Sequence, residues 1–110
     1  MSLDEYQLKA LKTAIYPGSG EVLGLAYVGL GLGEAGEIQG KIKKILRDDN
    51  GVISDEKKEA IAAEAGDLLW YIALLAKELN YTLEEIAIVN LVKLDSRKER
   101  GVLGGSGDYR

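Results

Sequence analysis

The sequence predicts an all-α protein, a four-helix bundle formed by one domain over residues 1–110. Three observations support this fold class: four stretches carry apolar residues at helical spacing, strong turn signals separate them, and no stretch alternates as a strand would. A domain this short buries only a modest share of its surface by itself. We therefore expect a homo-oligomer, either a homodimer or a homotetramer.

The first two helices are predicted in the N-terminal half of the chain. The first covers Leu3–Ile15, with Ser2 as its N-cap, and ends before a Tyr-Pro-Gly breaker at residues 16–18. The second begins near Glu21 and continues to residue 46 or 47, and it contains glycines at 24, 29, 31, 33, 36 and 40. Glycine weakens a helix, but it also allows close helix approach or a local break in the helix.

The other two helices follow an Asp-Asp-Asn-Gly turn at residues 48–51. Ser54 is the predicted N-cap of a third helix over about Asp55–Leu79, and Thr82 caps a fourth that continues to about Arg100. The tail, residues 101–110, reads GVLGGSGDYR. We expect it to be a flexible end, with a loop that closes over another part of the molecule as the alternative.

The third predicted helix is apolar around almost its whole circumference. Between Ala60 and Ala76, Glu64 and Asp67 are the only residues that are not apolar, aromatic or glycine. This helix should therefore be buried on most faces, and a lone four-helix unit cannot cover all of it. We expect it to form the interface between subunits, with these candidate contacts: Trp70, Ile72 and Leu74.

Composition narrows the chemistry that is open to this chain. It has no cysteine and no histidine, which excludes disulfides, thiol nucleophiles, imidazole bases and the usual zinc sites. The net charge is −4, without a long basic run, so nucleic-acid binding is disfavoured. No segment is long and uncharged enough to span a membrane, and the start MSLDEYQLK lacks an export signal. We expect a cytoplasmic protein.

Two acidic pairs form the most informative pattern. Glu34 and Glu37 lie three residues apart, as do Glu64 and Asp67, so each pair projects from one helix face with side-chain bases about 5–6 Å apart. The two pairs are equally far from the turn at residues 50–51. In an antiparallel hairpin about that turn, the four carboxylates should meet at one level.

Four converging carboxylates need a counter-charge, because they repel one another and are costly to desolvate. Their hard oxygen atoms suit a hard cation, and Mg²⁺ is commonly held by carboxylates together with substrate phosphates. We therefore predict that Glu34, Glu37, Glu64 and Asp67 are metal ligands for Mg²⁺, with Mn²⁺ as the substitute. The alternative is that these acids are ordinary exposed helix residues.

The strings GLGEAGEIQGKIKK, EAGDLLWYIALLAKEL and NLVKLDSRKERG resemble the MazG-like all-α NTP pyrophosphohydrolases, whose signature is Glu-x-x-Glu, a spacer and Glu-x-x-Asp. The opening LDEYQLKALKTAIYP also resembles the first helix of that family. The resemblance implies hydrolysis of a nucleoside or deoxynucleoside triphosphate between its α and β phosphates, giving the monophosphate and pyrophosphate. It also implies the four metal positions and subunits that complete each other's substrate pockets.

Further residues are candidates for contact with the substrate. Glu34 is our choice for the catalytic carboxylate that orients water or accepts its proton, although spacing does not identify the base. Tyr71 lies one turn after Asp67 on the same face, where its hydroxyl can reach a sugar or phosphate. Cations and one amide on two other helix faces complete the predicted substrate-binding set: Lys41, Lys44, Asn90, Lys93 and Arg97.

Other functions remain open at this stage. Phosphoribosyl-ATP pyrophosphohydrolase and a narrow dUTPase or dCTPase are alternatives within the same helical superfamily. A non-catalytic dimerisation or regulatory module is the alternative from another class. The Gly-x-Gly-x-x-Gly match at residues 31–36 does not indicate a dinucleotide site, because a turn follows its helix where a second strand is required.

Overall fold

A computed structural model describes all 110 residues and contains helices but no strand, which confirms the all-α fold class. Five α-helices and one short 3₁₀ turn form the chain. In order they are α1 (Leu3–Leu11), α2 (Val22–Gly31), the 3₁₀ turn (Leu32–Glu34), α3 (Ala35–Asp48), α4 (Asp55–Glu78) and α5 (Leu83–Glu99). No helix is long and apolar enough to cross a membrane.

The three predicted helix N-caps are confirmed. The hydroxyl of Ser2 accepts a hydrogen bond from a backbone N–H of the first turn of α1, and Ser54 does the same for α4. Thr82 forms a complete capping box with Glu85 at the start of α5. These hydrogen bonds satisfy backbone donors that a helix N-terminus otherwise leaves unpaired, and they explain why these helices begin where the sequence predicts.

The second predicted helix is not continuous, and this corrects the sequence analysis. It consists of α2 and α3 joined by the 3₁₀ turn at residues 32–34. Low helix propensity in this glycine-rich stretch is one reason, and a close contact with α4 is another. A Cβ at Gly31 would lie 2.0 Å from Cε1 of Tyr71, so only glycine lets the end of α2 approach α4 this closely.

The first helix ends at Leu11, whereas the sequence predicted residue 15. The Thr13 hydroxyl donates to the backbone carbonyl of Ala10 at 2.8 Å, a local bond that competes with further helix. The same hydroxyl oxygen accepts a hydrogen bond from Nε1 of Trp70 at 2.8 Å. The end of α1 is therefore fixed by a contact with α4 that the local sequence does not reveal.

Helix α4 is the centre of the fold, since α1, α2, α3 and α5 all pack against it. The core surrounds its C-terminal half and consists of six buried residues: Ala10, Tyr16, Val28, Ala73, Leu74 and Leu83. Glu78, at the end of α4, accepts hydrogen bonds from the Tyr16 hydroxyl and the Gly20 N–H. These bonds attach the loop before α2 to α4, and that from Tyr16 is the first cause of the lowered pKa of Glu78.

The N-terminal half of α4 is not buried within one chain, as expected for an apolar helix that a lone unit cannot cover on all faces. Ala60, Ala62, Ala63, Ala65 and Gly66 are exposed, because the core covers only the other half of the helix. The Cα radius of gyration is 16.9 Å, against about 13 Å for a compact domain of this length. The isolated chain is therefore an open arrangement of helices with much apolar surface exposed.

The predicted interface residues on α4 also need correction. Leu74 is 0% exposed and belongs to the core of its own chain, so it cannot be a contact between subunits. Trp70 and Ile72 are half-buried and pack against the same core. Other apolar side chains are exposed, and on α5 three of them form a stripe at helical spacing: Ile88, Leu91 and Val92.

Candidate functional site

Glu34 and Asp67 line one small pocket of about 180 Å³, together with Trp70 and Tyr71. Glu34 is the last residue of the 3₁₀ turn, and the other three lie on consecutive turns of α4. The equal distance of the two acidic pairs from the turn predicted that they would face each other. The structure brings Glu34, the first acid of its pair, to Asp67, the second acid of its pair, as an antiparallel hairpin requires. We call this the acid pocket.

The other two acids, Glu37 and Glu64, do not line the acid pocket. Glu37 is exposed at the start of α3, and Glu64 is half-buried with Nζ of Lys41 at 3.9 Å from one of its carboxylate oxygens. Nowhere in the chain do three acidic side chains come close enough together to form a ready-made metal site. The four acids therefore occupy neighbouring positions without converging on one point.

The chemistry of this donor set nevertheless fits a hard divalent cation. All four candidates are carboxylates, two of them share a pocket, and the ammonium of Lys41 beside Glu64 cannot ligate a metal.

Tyr71 is the polar neutral group of the acid pocket. Its pKa is raised above the usual range, first by burial and then by the negative charges of surrounding groups, Glu34 and Asp67 among them. The hydroxyl therefore stays protonated and can donate a hydrogen bond to an anionic substrate. The ring of Trp70 packs edge-on against it, with ring centroids 5.1 Å apart and an interplanar angle of 85°.

Trp70 is a pocket residue that the sequence analysis assigned to the subunit interface. The signal was present, because Trp70 lies three residues after Asp67 and therefore close to its face of the helix. Its apolar character made a core or interface position the simpler interpretation. In the structure the indole forms one wall of the acid pocket and is held in place by its hydrogen bond to Thr13.

Lys41 and Lys44 lie on α3 toward the turn and line a separate pocket of about 190 Å³ with Lys57 of α4. The ion pair between Lys41 and Glu64 connects this basic pocket to the acidic pairs. Lys57, which is ion-paired with Asp49, was not among the predicted substrate residues. Three lysines beside the acids give the α3–α4 hairpin a surface that can contact phosphate groups.

The predicted substrate residues on α5 lie on a different surface. Asn90 and Lys93 line a pocket of about 270 Å³, and Lys93 also lines a neighbouring pocket with Arg97 and Arg100. This arrangement agrees with the single helix face that their spacing predicts. No residue of α5 lines the acid pocket, so one chain does not bring the whole predicted set together.

The tail at residues 101–110 folds back on α5, which corrects the expectation of a flexible end and agrees with the alternative of a closing loop. The Asp108 carboxylate accepts hydrogen bonds from Nζ of Lys93 at 2.7 Å and from Arg97 at 3.1 Å. The Arg110 guanidinium donates to four backbone carbonyls of the tail itself, at residues 102, 103, 104 and 107. Two of the predicted substrate cations are therefore engaged by an internal acid.

Fold and site together define an all-helical protein with a carboxylate-lined pocket and no histidine or cysteine chemistry. Residues 25–102 match the MazG nucleotide pyrophosphohydrolase domain, and the chain belongs to this family of hydrolases. The resemblance seen in the acidic motif is thereby confirmed. All the predicted metal and substrate residues lie within the matched region, and most of the tail lies beyond it.

A relative from a bacteriophage supports the extent of this similarity. The chain is 54% identical over 114 residues to "Gene 37 protein" of Mycobacterium phage L5, and the alignment covers 100% of both sequences. The name of that relative states no activity. No solved structure matches the chain significantly.

Proposed function

We propose that this protein hydrolyses nucleoside or deoxynucleoside triphosphates between the α and β phosphates, in a reaction that depends on Mg²⁺. Water is added across the α–β anhydride bond, and the products are the nucleoside monophosphate and pyrophosphate. One observation carries the proposal: Glu34 and Asp67, from the two halves of the family's acidic motif, line one pocket with a protonated tyrosine. Manganese is the expected substitute for magnesium.

In this proposal the four acids Glu34, Glu37, Glu64 and Asp67 would hold the metal, which would supply positive charge to the phosphates and make water a better nucleophile. Glu34 orients the attacking water and accepts its proton, because it lies at the end of the 3₁₀ turn on the wall of the acid pocket. Tyr71 donates a hydrogen bond to the substrate. Lys41 and Lys44 contact its phosphates. Lys41 gives up its ion pair with Glu64 to make this contact.

The remaining substrate residues, Asn90, Lys93 and Arg97, do not reach the acid pocket of their own chain. We propose that they serve a substrate held by a neighbouring chain in a homodimer or homotetramer. The open shape of the single chain and its exposed apolar stripe on α5 support this assembly.

The proposed activity is tested by incubating the purified protein with each common nucleoside and deoxynucleoside triphosphate and measuring pyrophosphate. We expect release with Mg²⁺, little with Ca²⁺ because its looser coordination positions water less strictly, and none in excess chelator. Undiminished turnover in chelator contradicts the metal requirement. No pyrophosphate from any triphosphate favours a non-catalytic module, and turnover of one pyrimidine triphosphate alone indicates a narrow dUTPase or dCTPase.

The proposed assembly is tested by placing a charge in the apolar stripe of α5. Val92 is 63% exposed, so Val92→Glu does not disturb the single chain, but it places an unpaired charge in a contact between chains. We expect light scattering to show a lower mass and pyrophosphate release to fall with it. Lys98→Gln is the matched control, because it changes the net charge equally on the same helix. A fully active wild-type monomer contradicts the proposal.

A further inference from the structure

A side-chain hydrogen bond connects the end of α1 to the acid pocket. The Thr13 hydroxyl oxygen accepts this bond from Nε1 of Trp70 at 2.8 Å. The same hydroxyl donates its proton to the backbone carbonyl of Ala10 at 2.8 Å. Because a hydroxyl has only one proton, the oxygen can present only a lone pair to the indole. The end of α1 therefore fixes the direction from which Trp70 is held.

The orientation of the Trp70 indole is fixed by contacts at two different parts of the ring system. Its N–H is bound to Thr13, and its ring packs edge-on against Tyr71 with an interplanar angle of 85°. Tyr71 in turn lies so close to the backbone of Gly31 that a Cβ there would be 2.0 Å from its Cε1. The tyrosine ring is thus confined by Trp70 and by the end of α2. A displaced indole would release one of these two constraints.

Helix α1 lies close to the acids of the pocket as well as to the core. It packs against α4, and the pKa of Tyr6 on α1 is raised, first by burial and then by the negative charge of Asp67. Thr13 precedes residues 25–102, which match the family domain, so that match assigns it no role. Neither does the acidic motif. The contact between Thr13 and Trp70 is therefore a feature of the site that only the structure reveals.

We infer that Thr13 is a positioning residue for the acid pocket: it fixes the indole of Trp70, and the fixed indole orients the Tyr71 hydroxyl toward the substrate. Thr13 itself touches neither substrate nor metal and acts through Trp70. The contact of Tyr71 with a nucleotide rests on the proposed function. Tyr71 makes the same hydrogen bond before and during the reaction, so a misoriented ring weakens substrate binding without slowing bond cleavage.

A positioning role and a merely structural role have different kinetic signatures. If Thr13 only stabilised the end of α1, its loss would lower the melting temperature and the folded fraction. The apparent kcat would then fall, and KM would stay the same. If Thr13 positions the pocket, KM rises and kcat stays the same. Thr13→Val separates the two roles, because valine keeps the branched shape of threonine and removes the hydroxyl.

The kinetic test measures pyrophosphate release with Mg²⁺ over a range of triphosphate concentrations. We expect Thr13→Val to raise KM by about three- to tenfold and to leave kcat within about twofold of the wild type. Thr13→Ser restores the oxygen and should return KM close to the wild-type value. An unchanged KM in Thr13→Val overturns the inference, whether or not the melting temperature falls.

A double-mutant cycle tests whether Thr13 acts through Trp70. Trp70→Phe removes the indole N–H, so Thr13→Val made in that background has no bond to break and should not raise KM further. An equal rise of KM in both backgrounds overturns the inference, because Thr13 would then act by another route.

A spectroscopic test requires no turnover. Trp70 is the only tryptophan of the chain, so one indole N–H resonance reports its hydrogen bond. Thr13→Val should move this resonance upfield and speed its exchange with water, and Thr13→Ser should not. A resonance that Thr13→Val leaves in place overturns the inference.

Titration of the full chain with Mg²⁺ and an α,β-methylene nucleoside triphosphate, whose α–β link cannot be hydrolysed, separates this inference from the proposed reaction. Thr13→Val should bind the analogue about three- to tenfold more weakly than the wild type. If these binding results hold and no triphosphate is hydrolysed, the reaction is rejected and the positioning role stands. Hydrolysis with unchanged KM and affinity rejects only the positioning role. A wild-type protein that binds no analogue rejects both.

Discussion

Glu64→Gln and Asp67→Asn are each expected to lower pyrophosphate release by about 100-fold or more, because an amide cannot supply the negative charge that a divalent cation needs. Both substitutions keep the size of the side chain. Glu64 is half-buried and Asp67 exposed, and neither is hydrogen-bonded to another part of the chain, so the helix content should not change. The loss should therefore appear in activity and not in folding.

Glu59→Gln is the matched control for this experiment, since it makes the same change at an exposed position of the same helix. A second measurement is the melting temperature with and without Mg²⁺. The ion should stabilise the wild type by binding the folded state, and both pocket variants should lose most of that stabilisation. Full activity in either variant, or an equal loss in Glu59→Gln, is incompatible with the metal site.

The parts of the fold that the sequence predicts correctly depend on local interactions. Ser54 and Thr82 cap α4 and α5 with hydrogen bonds to residues three positions away, and those partners can be identified in the sequence itself. The break between α2 and α3 depends instead on Gly31 meeting Tyr71, forty residues later. Glycines alone indicate that a break is possible, but its position follows from a tertiary contact that periodicity does not encode.

In the candidate site, too, some features follow from the local sequence and others depend on tertiary contacts. Equal distances from one turn predict that Glu34 and Asp67 face each other, because a short turn between two helices leaves few other arrangements. Nothing comparable fixes where α5 lies, so its cations could be assigned to a common face but not to the acid pocket. A closing loop was only the alternative expectation for the tail, since its fold depends on a single arginine that binds several backbone carbonyls without any repeating sequence pattern.

Gln7→Leu should destabilise the fold by about 2–4 kcal/mol, because Gln7 is the buried polar link between α1, α4 and α5. Its side-chain nitrogen donates to the carbonyls of Ala73 and Tyr81, both at 3.1 Å. Its oxygen accepts from the N–H of Leu83 at 3.1 Å, which is a first-turn donor of α5 without a helical partner. Gln7 is only 6% exposed, so water cannot replace these bonds without local opening.

Leucine has a similar volume to glutamine, so this substitution removes the hydrogen bonds without creating a large cavity. The expected fall in melting temperature is about 10 °C or more for a domain of this size. Gln39→Leu makes the same change at an exposed position of α3 and should leave the melting temperature nearly unchanged. Equal melting temperatures for Gln7→Leu and Gln39→Leu would contradict this prediction. The N–H of Leu83 and the two carbonyls would then need other partners, and apolar packing alone would have to hold α1 against α5.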